Sequence, residues 1–187
     1  MGRTFSCKYW NTINKEGTIN SNASVPITIP PTVPVPSELL PLAPTGRAAK
    51  VFSAYAGHPA FTIHKKIYRQ QSFSNEVSNF SVNDNLTTHT LYIVDEASMI
   101  SNEGLSGAVF GTGRLLDDLI QFVYSGTGCR LILMGDTAQL PPVGEEQSPA
   151  LFAEALKGYG LMMKKCKRRE IFLCCRNGKQ WKNMVYV

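Results

Sequence analysis

The sequence predicts an α/β fold built around a parallel sheet, because two short apolar segments each end abruptly in polar residues. Residues 91–94 precede Asp95 and Glu96, and residues 131–134 precede a stretch with a glycine, an aspartate and a glutamine. Buried parallel strands have this pattern, since they deliver polar side chains to the carboxyl edge where α/β proteins bind ligands. Between them, apolar residues at three- and four-residue spacing predict an amphipathic helix: Leu115, Leu116, Leu119, Ile120 and Val123. A strand, a helix and a strand within about 45 residues form a crossover, which makes the two strands parallel.

Composition fits one soluble domain. The 187 residues, 43% of them hydrophobic, suffice for a core. No apolar run approaches the roughly 20 residues that a membrane-spanning helix needs, and the N-terminus lacks the apolar segment of a secretory signal. The five cysteines are odd in number and lack metal-ligand spacing. We therefore expect reduced thiols in a cytoplasmic protein with no membrane partner.

The net charge of +5 is unevenly distributed. Residues 161–187 contain eight of the 19 basic residues and one of the 14 acidic residues, giving this tail +7, whereas residues 1–160 carry −2. A basic tail can bind phosphates without specificity, but it can equally be a solvated end of the chain.

Three zones are expected along the chain. Residues 1–40 are polar and then rich in proline, with five prolines within residues 26–36, which indicates an irregular or linker segment. Residues 41–160 have the pattern of a folded α/β unit. Residues 161–187 lose that pattern and are expected to be an irregular basic tail, within which residues 171–175 form either a strand or no regular element.

Within the folded unit, the elements are expected in this order. A strand spans 38–43, although Pro41 is an unusual residue there, and a helix spans 46–54. Residues 70–89 form a loop or a marginal hairpin, and residues 148–157 form a last helix before Gly158.

Asp95 and Glu96 are candidates for nucleotide chemistry. A carboxylate after a buried strand suits Mg²⁺, which prefers oxygen ligands, and a second carboxylate can orient and activate an attacking water. The alternative is a strand that simply ends in acids.

Residues 135–143, G-D-T-A-Q-L-P-P-V, form a more specific motif. Gly135 permits a tight turn, Asp136 can cap it, and two prolines stiffen its exit, so that Gln139 is presented rigidly to a phosphate or to an attacking water. A proline-stiffened turn without a ligand remains the alternative.

Two further segments have the composition of phosphate or nucleic-acid contacts. Residues 43–50, A-P-T-G-R-A-A-K, form a strand-to-helix turn in which backbone N–H groups, Thr45 and Arg47 can hold a phosphate. Residues 60–66, A-F-T-I-H-K-K, combine an aromatic ring, a hydroxyl, an imidazole and two ammonium groups, a mixture that suits contacts with a single strand. The alternatives are an ordinary capped helix and ordinary structural residues.

Together and in this order, the four motifs resemble those of the RecD-like branch of superfamily 1 DNA helicases. A-P-T-G-R-A-A-K is similar to motif Ia, T-I-H-K-K to the DNA-contacting segment after it, V-D-E-A-S-M to motif II, and G-D-T-A-Q-L-P-P-V to motif III. The resemblance covers about residues 42–160. It implies a partial RecA-like P-loop NTPase domain, ATP and Mg²⁺ as ligands, and single-stranded DNA along the sheet edge.

The resemblance also implies roles for individual residues. Asp95 would bind Mg²⁺, Glu96 and Gln139 would be catalytic, and Asp136 and Gln139 would contact the nucleotide. The residues implied in DNA contact are Pro44, Thr45, Arg47, Thr62, His64 and Lys65.

The phosphate-binding sequence G-x-x-x-x-G-K-[ST] occurs nowhere in the 187 residues. Proline-rich sequence stands where the family has it, and Gly111-Thr112-Gly113-Arg114 lacks both the lysine and the hydroxyl that follows it. Three hypotheses therefore remain open: an ATPase-helicase fragment that is inactive alone, a non-catalytic remnant that binds nucleic acid or protein, and a damaged gene whose flanks are frameshift products.

The absence of a P-loop strand also leads us to expect exposed strand edges at residues 91–94 and 131–134. Exposed apolar edges promote self-association.

Overall fold

The computed structural model describes residues 36–70, 80–104, 109–166 and 169–176, together with two short strands at 18–19 and 27–28; for those two strands and beyond residue 161 it describes the backbone alone. The strands, in chain order, are β1 (Thr18–Ile19), β2 (Ile27–Thr28), β3 (Glu38–Ala43), β4 (Phe61–Thr62), β5 (Tyr68–Gln70), β6 (Phe80–Val82), β7 (Thr90–Val94), β8 (Arg130–Met134), β9 (Leu161–Cys166) and β10 (Arg169–Arg176). The α-helices are α1 (Gly46–Ala56), α2 (Ile63–Ile67), α3 (Leu115–Ser125) and α4 (Ala153–Lys157). Short 3₁₀ helices span Ala97–Met99 and Pro149–Leu151.

The main sheet has six strands in the order β4-β3-β7-β8-β10-β9. The first four are parallel, whereas β10 pairs antiparallel with β8 and β9 pairs antiparallel with β10. The α/β fold class with a parallel sheet is thus confirmed, as is the crossover in which β7, α3 and β8 follow one another. The expected strands 38–43 and 130–134 coincide with β3 and β8.

Pro41 is tolerated in β3 because of where it lies. It faces Ile93 in the β7 ladder, while pairing with β4 begins only at Leu42. On the β4 side, the strand is therefore still an edge at residue 41, where a missing N–H costs no ladder hydrogen bond.

Apolar side chains cover both faces of the sheet. Alternate residues of β7 face opposite sides: Tyr92 and Val94 belong to the larger core with α2, α3 and α4, whereas Leu91 and Ile93 pack with Phe52 and Ala56 of α1. This two-sided burial explains why β7 is a continuous apolar run.

The segment expected to be an irregular tail instead contains two strands. β9 and β10 lie in residues 161–187, and β10 pairs with β8 from Ile171↔Met134 to Cys174↔Leu131. The sequence left a strand at residues 171–175 open, which lies within β10, but it did not indicate β9. The hairpin depends on the pairing of β10 with β8 rather than on a local pattern. Two differences occur elsewhere: β1 and β2 pair within the segment expected to be irregular, and the helix expected at 148–157 is divided at Phe152.

The expectation of exposed edges at residues 91–94 and 131–134 is wrong. β7 lies between β3 and β8, and the outer side of β8 is paired with β10. The edge strands of the six-stranded sheet are β4, which has two residues, and β9, which has six. Self-association by edge pairing would therefore have to use one of those two strands.

A loop or hairpin was expected at residues 70–89. Within it, residues 80–82 form β6, which pairs antiparallel with β5 from Tyr68↔Val82 to Gln70↔Phe80. Within the described part of the chain, no helix has the length and apolar character needed to cross a membrane.

Candidate functional site

Every site residue predicted from the sequence lies at or after the end of one of the four parallel strands. Thr62, at the end of β4, is opposite Ala43, at the end of β3, and Val94, at the end of β7, is opposite both Leu42 and Leu133. Parallel strands bring their carboxyl ends to one side of the sheet, which we call the carboxyl edge. Along it the expected phosphate and nucleic-acid contacts follow β4 and β3, and the expected catalytic residues follow β7 and β8.

Asp95 extends the β7 ladder by one bond, since its N–H donates to the Leu42 carbonyl oxygen at 3.0 Å. Its Oδ1 accepts from the Glu96 N–H at 3.0 Å. Burial raises the pKa of the Asp95 carboxyl, and the adjacent Glu96 carboxylate raises it further, while the Glu96 N–H bond opposes the rise. A desolvated carboxylate beside a second acid is a site where a cation would relieve electrostatic strain.

Glu96 has a left-handed backbone, with φ 54° and ψ 39°. This conformation costs a residue other than glycine about 1–2 kcal/mol. It turns the chain sharply out of β7 into the 3₁₀ helix, whose Ala97 and Ser98 are buried. Strain of this kind persists where the surrounding packing determines the backbone, and it is frequent at functional sites.

Two loops leave the carboxyl edge side by side: the acid loop, residues 95–103 after β7, and the glutamine loop, residues 135–145 after β8. At Gly135 they touch through the backbone. A Cβ at this position would lie 2.9 Å from the Ser98 nitrogen and 2.9 Å from Cδ1 of Leu151. The φ of Gly135 is not in the left-handed region. Glycine is required here because the two loops approach each other closely.

A hydrogen bond joins the same loops through side chains. The buried Ser98 donates from Oγ to Oε1 of Gln139 at 3.0 Å. Asp136 shapes the turn that precedes this glutamine: its Oδ1 accepts from the Ala138 N–H at 2.8 Å, and its carbonyl oxygen accepts from the Gln139 N–H at 3.1 Å. The expected capping role of Asp136 is therefore seen directly, and its carboxylate is committed at least in part to the turn.

Glu145 is a further link that sequence reasoning missed. Its Oε1 accepts from the Ser101 hydroxyl at 2.7 Å and from the N–H groups of Asn102 at 2.7 Å and Glu103 at 3.2 Å. The far ends of the acid loop and the glutamine loop are thereby tied together. No local pattern indicates this contact, because it joins residues more than 40 positions apart.

On the other half of the carboxyl edge, two threonines begin helices. Thr45 Oγ1 accepts from the Ala48 N–H at the start of α1, and Thr62 Oγ1 accepts from the Lys65 N–H at the start of α2, both at 3.2 Å. These caps use the acceptor capacity of each hydroxyl and leave its O–H hydrogen for another acceptor. Pro44 is partly buried, and Arg47 is exposed in the first turn of α1.

His64 packs against an aromatic cluster. Its ring centroid lies 5.6 Å from that of Tyr68 and 5.2 Å from that of Phe110. Burial lowers the pKa of the imidazole below its usual value, so the ring is neutral at pH 7. Nζ of the exposed Lys65 lies 5.8 Å from the Phe61 ring centroid. Because His64 is neutral, positive charge among the predicted DNA-contacting residues comes from Lys65 and Arg47.

A buried carboxylate anchors this cluster. Asp118 accepts from the Tyr68 hydroxyl at 2.7 Å, from the Thr112 N–H at 3.0 Å and from the Thr112 hydroxyl at 2.9 Å. Burial, the bond to Asp118 and the charge of Asp118 all raise the pKa of Tyr68. Gly111 and Gly113, with φ 48° and 78°, shape the loop around the carboxylate. The glycine-rich loop that superficially resembles a phosphate loop thus binds an anion of its own chain.

The carboxyl edge can hold a metal ion only when waters and a bound substrate supply further ligands. Among the described residues, no group of three or more His, Cys, Asp or Glu side chains could bind a metal on its own. Mg²⁺ does not need such a cage, because proteins usually bind it through one or two carboxylates, with waters and substrate phosphates completing the octahedron. Asp95 and Glu96 fit that requirement.

Comparison with known proteins identifies the folded unit. A family model described as an AAA domain matches residues 33–168, well over half of the chain. No curated protein matches the sequence. The match extends the expected unit of 41–160 on both sides and includes β9.

Gly135→Ala is expected to destabilise the chain by about 1–3 kcal/mol, because the new Cβ must displace backbone of the acid loop. Gly46→Ala is the matched control, since a Cβ there meets no atom within 4 Å and alanine favours the helix. Urea unfolding of both variants measures the difference. Equal stability of the two variants would contradict the close contact between the loops.

Asp95→Asn is expected to raise the free energy of unfolding at neutral pH. Because the pKa of Asp95 is raised in the folded chain, its ionised form opposes folding, and that penalty disappears as the pH falls through the folded-state pKa. The stability gap between variant and wild type should thus narrow on acidification, as measured by melting between neutral and acidic pH. Asp84→Asn, at an exposed site, controls for the lost charge. A gap that widens towards acid would refute the assignment.

Proposed function

Because the chain belongs to the AAA domain family of P-loop ATPases, we propose that it carries the nucleotide- and DNA-contacting edge of an ATP-dependent DNA helicase of the RecD-like kind. The single observation that supports this most strongly is the convergence of all four motifs on the carboxyl edge of one parallel sheet. The motifs are distributed over residues 43–143, yet the fold aligns the ends of their strands.

The proposed mechanism assigns one task to each residue on the catalytic half of the edge. Asp95 holds Mg²⁺, which when bound neutralises charge on the phosphate oxygens. Glu96 orients a water and accepts its proton. Because Ser98 engages the amide oxygen of Gln139, the amide nitrogen is the end that would donate to a phosphate oxygen.

The nucleic-acid half of the edge supplies backbone contacts in this proposal. Thr45 and Thr62 donate their hydroxyl hydrogens to phosphates, and Arg47 and Lys65 contribute charge. His64 is neutral and half-buried, so its contribution is a ring edge or a hydrogen bond rather than an ionic contact. Pro44 fixes the backbone between β3 and the Thr45 cap.

A second candidate function is a non-catalytic module that binds nucleic acid. The observation that favours it is the lack of a G-x-x-x-x-G-K-[ST] sequence in the 187 residues. The two candidates differ in whether the acids at the end of β7 influence ligand binding.

Nucleotide binding is tested by titrating the full chain with ATP in the presence of Mg²⁺. Asp95→Ala is expected to weaken binding by about tenfold or more, which corresponds to roughly 1.4 kcal/mol. Asp84→Ala removes an exposed carboxylate elsewhere and should leave the affinity unchanged. Binding that neither Mg²⁺ nor Asp95 influences would refute the catalytic assignment and leave the binding module.

Single-strand binding is tested with a fluorescent oligothymidine at several salt concentrations. Arg47→Ala/Lys65→Ala should lower the affinity and reduce the slope of log K against log salt by about 1.4, since each lost phosphate contact removes about 0.7. Arg69→Ala/Lys157→Ala, which removes the same charge from two other exposed sites, is the control. Equal losses in both double variants would mean that only net charge matters.

A further inference from the structure

In the hairpin formed by β9 and β10, the end of β9 and the start of β10 lie at the carboxyl edge. β10 is antiparallel to β8, so the residues that begin β10 lie beside the residues that end β8: Ile171 is opposite Met134. Arg169 precedes Ile171 by two residues and thus lies beyond the last pair of the β8–β10 ladder, where a bulge between Arg169 and Phe172 interrupts the pairing of β10 with β9. β9 ends at Cys166, opposite Arg169.

This end of the hairpin is strongly basic. Within the described strands it includes Lys164, Lys165 and Arg169, together with one acid, Glu170. At the other end of the hairpin, Arg176 is opposite Leu161. Lys164, Lys165 and Arg169 therefore lie towards the same edge of the sheet as Asp95, Glu96 and Gln139.

The two loops beside the hairpin have the opposite charge. The acid loop and the glutamine loop together contain five acids, Asp95, Glu96, Glu103, Asp136 and Glu145, and no lysine or arginine. Such loops repel a polyphosphate unless cations are nearby. Strand axes in a sheet are about 4.8 Å apart, so β10 lies about 10 Å from β7 and β9, which contains Lys164 and Lys165, lies about 14 Å from it.

We propose that the basic end of the β9–β10 hairpin, with Lys164, Lys165 and Arg169, binds the phosphates of a nucleoside triphosphate at the carboxyl edge. It supplies from the C-terminal side of the chain the cationic charge that a G-x-x-x-x-G-K loop would otherwise supply. This inference rests on the proposed nucleotide binding. Its position favours nucleotide over nucleic acid, because β10 neighbours β8, the strand that leads into the glutamine loop, whereas Arg47 and Lys65 follow β3 and β4 on the other side of β7.

The test compares two triple variants of the full chain. Lys164→Gln/Lys165→Gln/Arg169→Gln should weaken the binding of Mg-ATP by about tenfold or more, and the binding of inorganic tripolyphosphate should weaken in parallel. Arg176→Gln/Lys179→Gln/Lys182→Gln removes the same charge from the rest of the tail and should change the affinity by less than about twofold. Equal melting temperatures of the two variants establish that both are folded to the same extent.

The outcomes separate the hairpin site from the proposed function. If the two triple variants bind Mg-ATP equally well while Asp95→Ala weakens binding, the hairpin site is overturned and the proposed function is supported. If the hairpin variant loses affinity while Asp95→Ala has no effect, the hairpin site is supported and the catalytic assignment is overturned. If the hairpin variant loses affinity for oligothymidine but not for ATP, its ligand is a nucleic-acid backbone, which overturns the proposal. Absence of ATP and tripolyphosphate binding by the wild type also overturns it.

Discussion

The parallel pairing of β7 with β3 on one side and β8 on the other determines where every polar group of the site lies. Leu42, Val94 and Leu133 are aligned across three strands, so the chain leaves all three at the same level. A shift of either ladder by one residue would also turn the alternating apolar side chains of β7 to the wrong faces. The hydrophobic core and the geometry of the edge therefore depend on the same register.

The loops after β7 and β8 behave as one structure because they are joined at several levels. Gly135 allows the two backbones to touch, Ser98 bonds to Gln139, and Glu145 binds the far end of the acid loop. The acid loop begins with a desolvated Asp95 and a strained Glu96, and both arrangements oppose folding. Buried neighbours such as Ala97 and Ile100 supply the packing that offsets them. Both residues lie within the part of the chain that the AAA domain model matches.

Local patterns predicted the elements whose stability depends on a regular apolar face. The two-sided burial of β7 and the spacing of Leu116, Leu119 and Val123 in α3 are visible in the sequence, and the order of motifs indicated a shared edge. The contacts that shape the site were not visible, because they join residues far apart: Tyr68 with Asp118, Ser98 with Gln139 and Ser101 with Glu145. β9 was missed, and β10 was left only as an alternative, for a related reason: this basic segment forms strands through the pairing of β10 with β8 and of β9 with β10.

The position of β10 has a consequence for synthesis of the chain on the ribosome. β8 is complete at Met134, but the strand that covers its outer edge ends only at Arg176, about 40 residues later. At ordinary elongation rates this interval lasts roughly two to eight seconds. During it, the nascent chain presents an apolar strand with one unpaired row of backbone groups, the feature that chaperones and neighbouring chains bind most readily. The pairing of β10 with β8 thus ends the interval in which the outer edge of β8 is exposed.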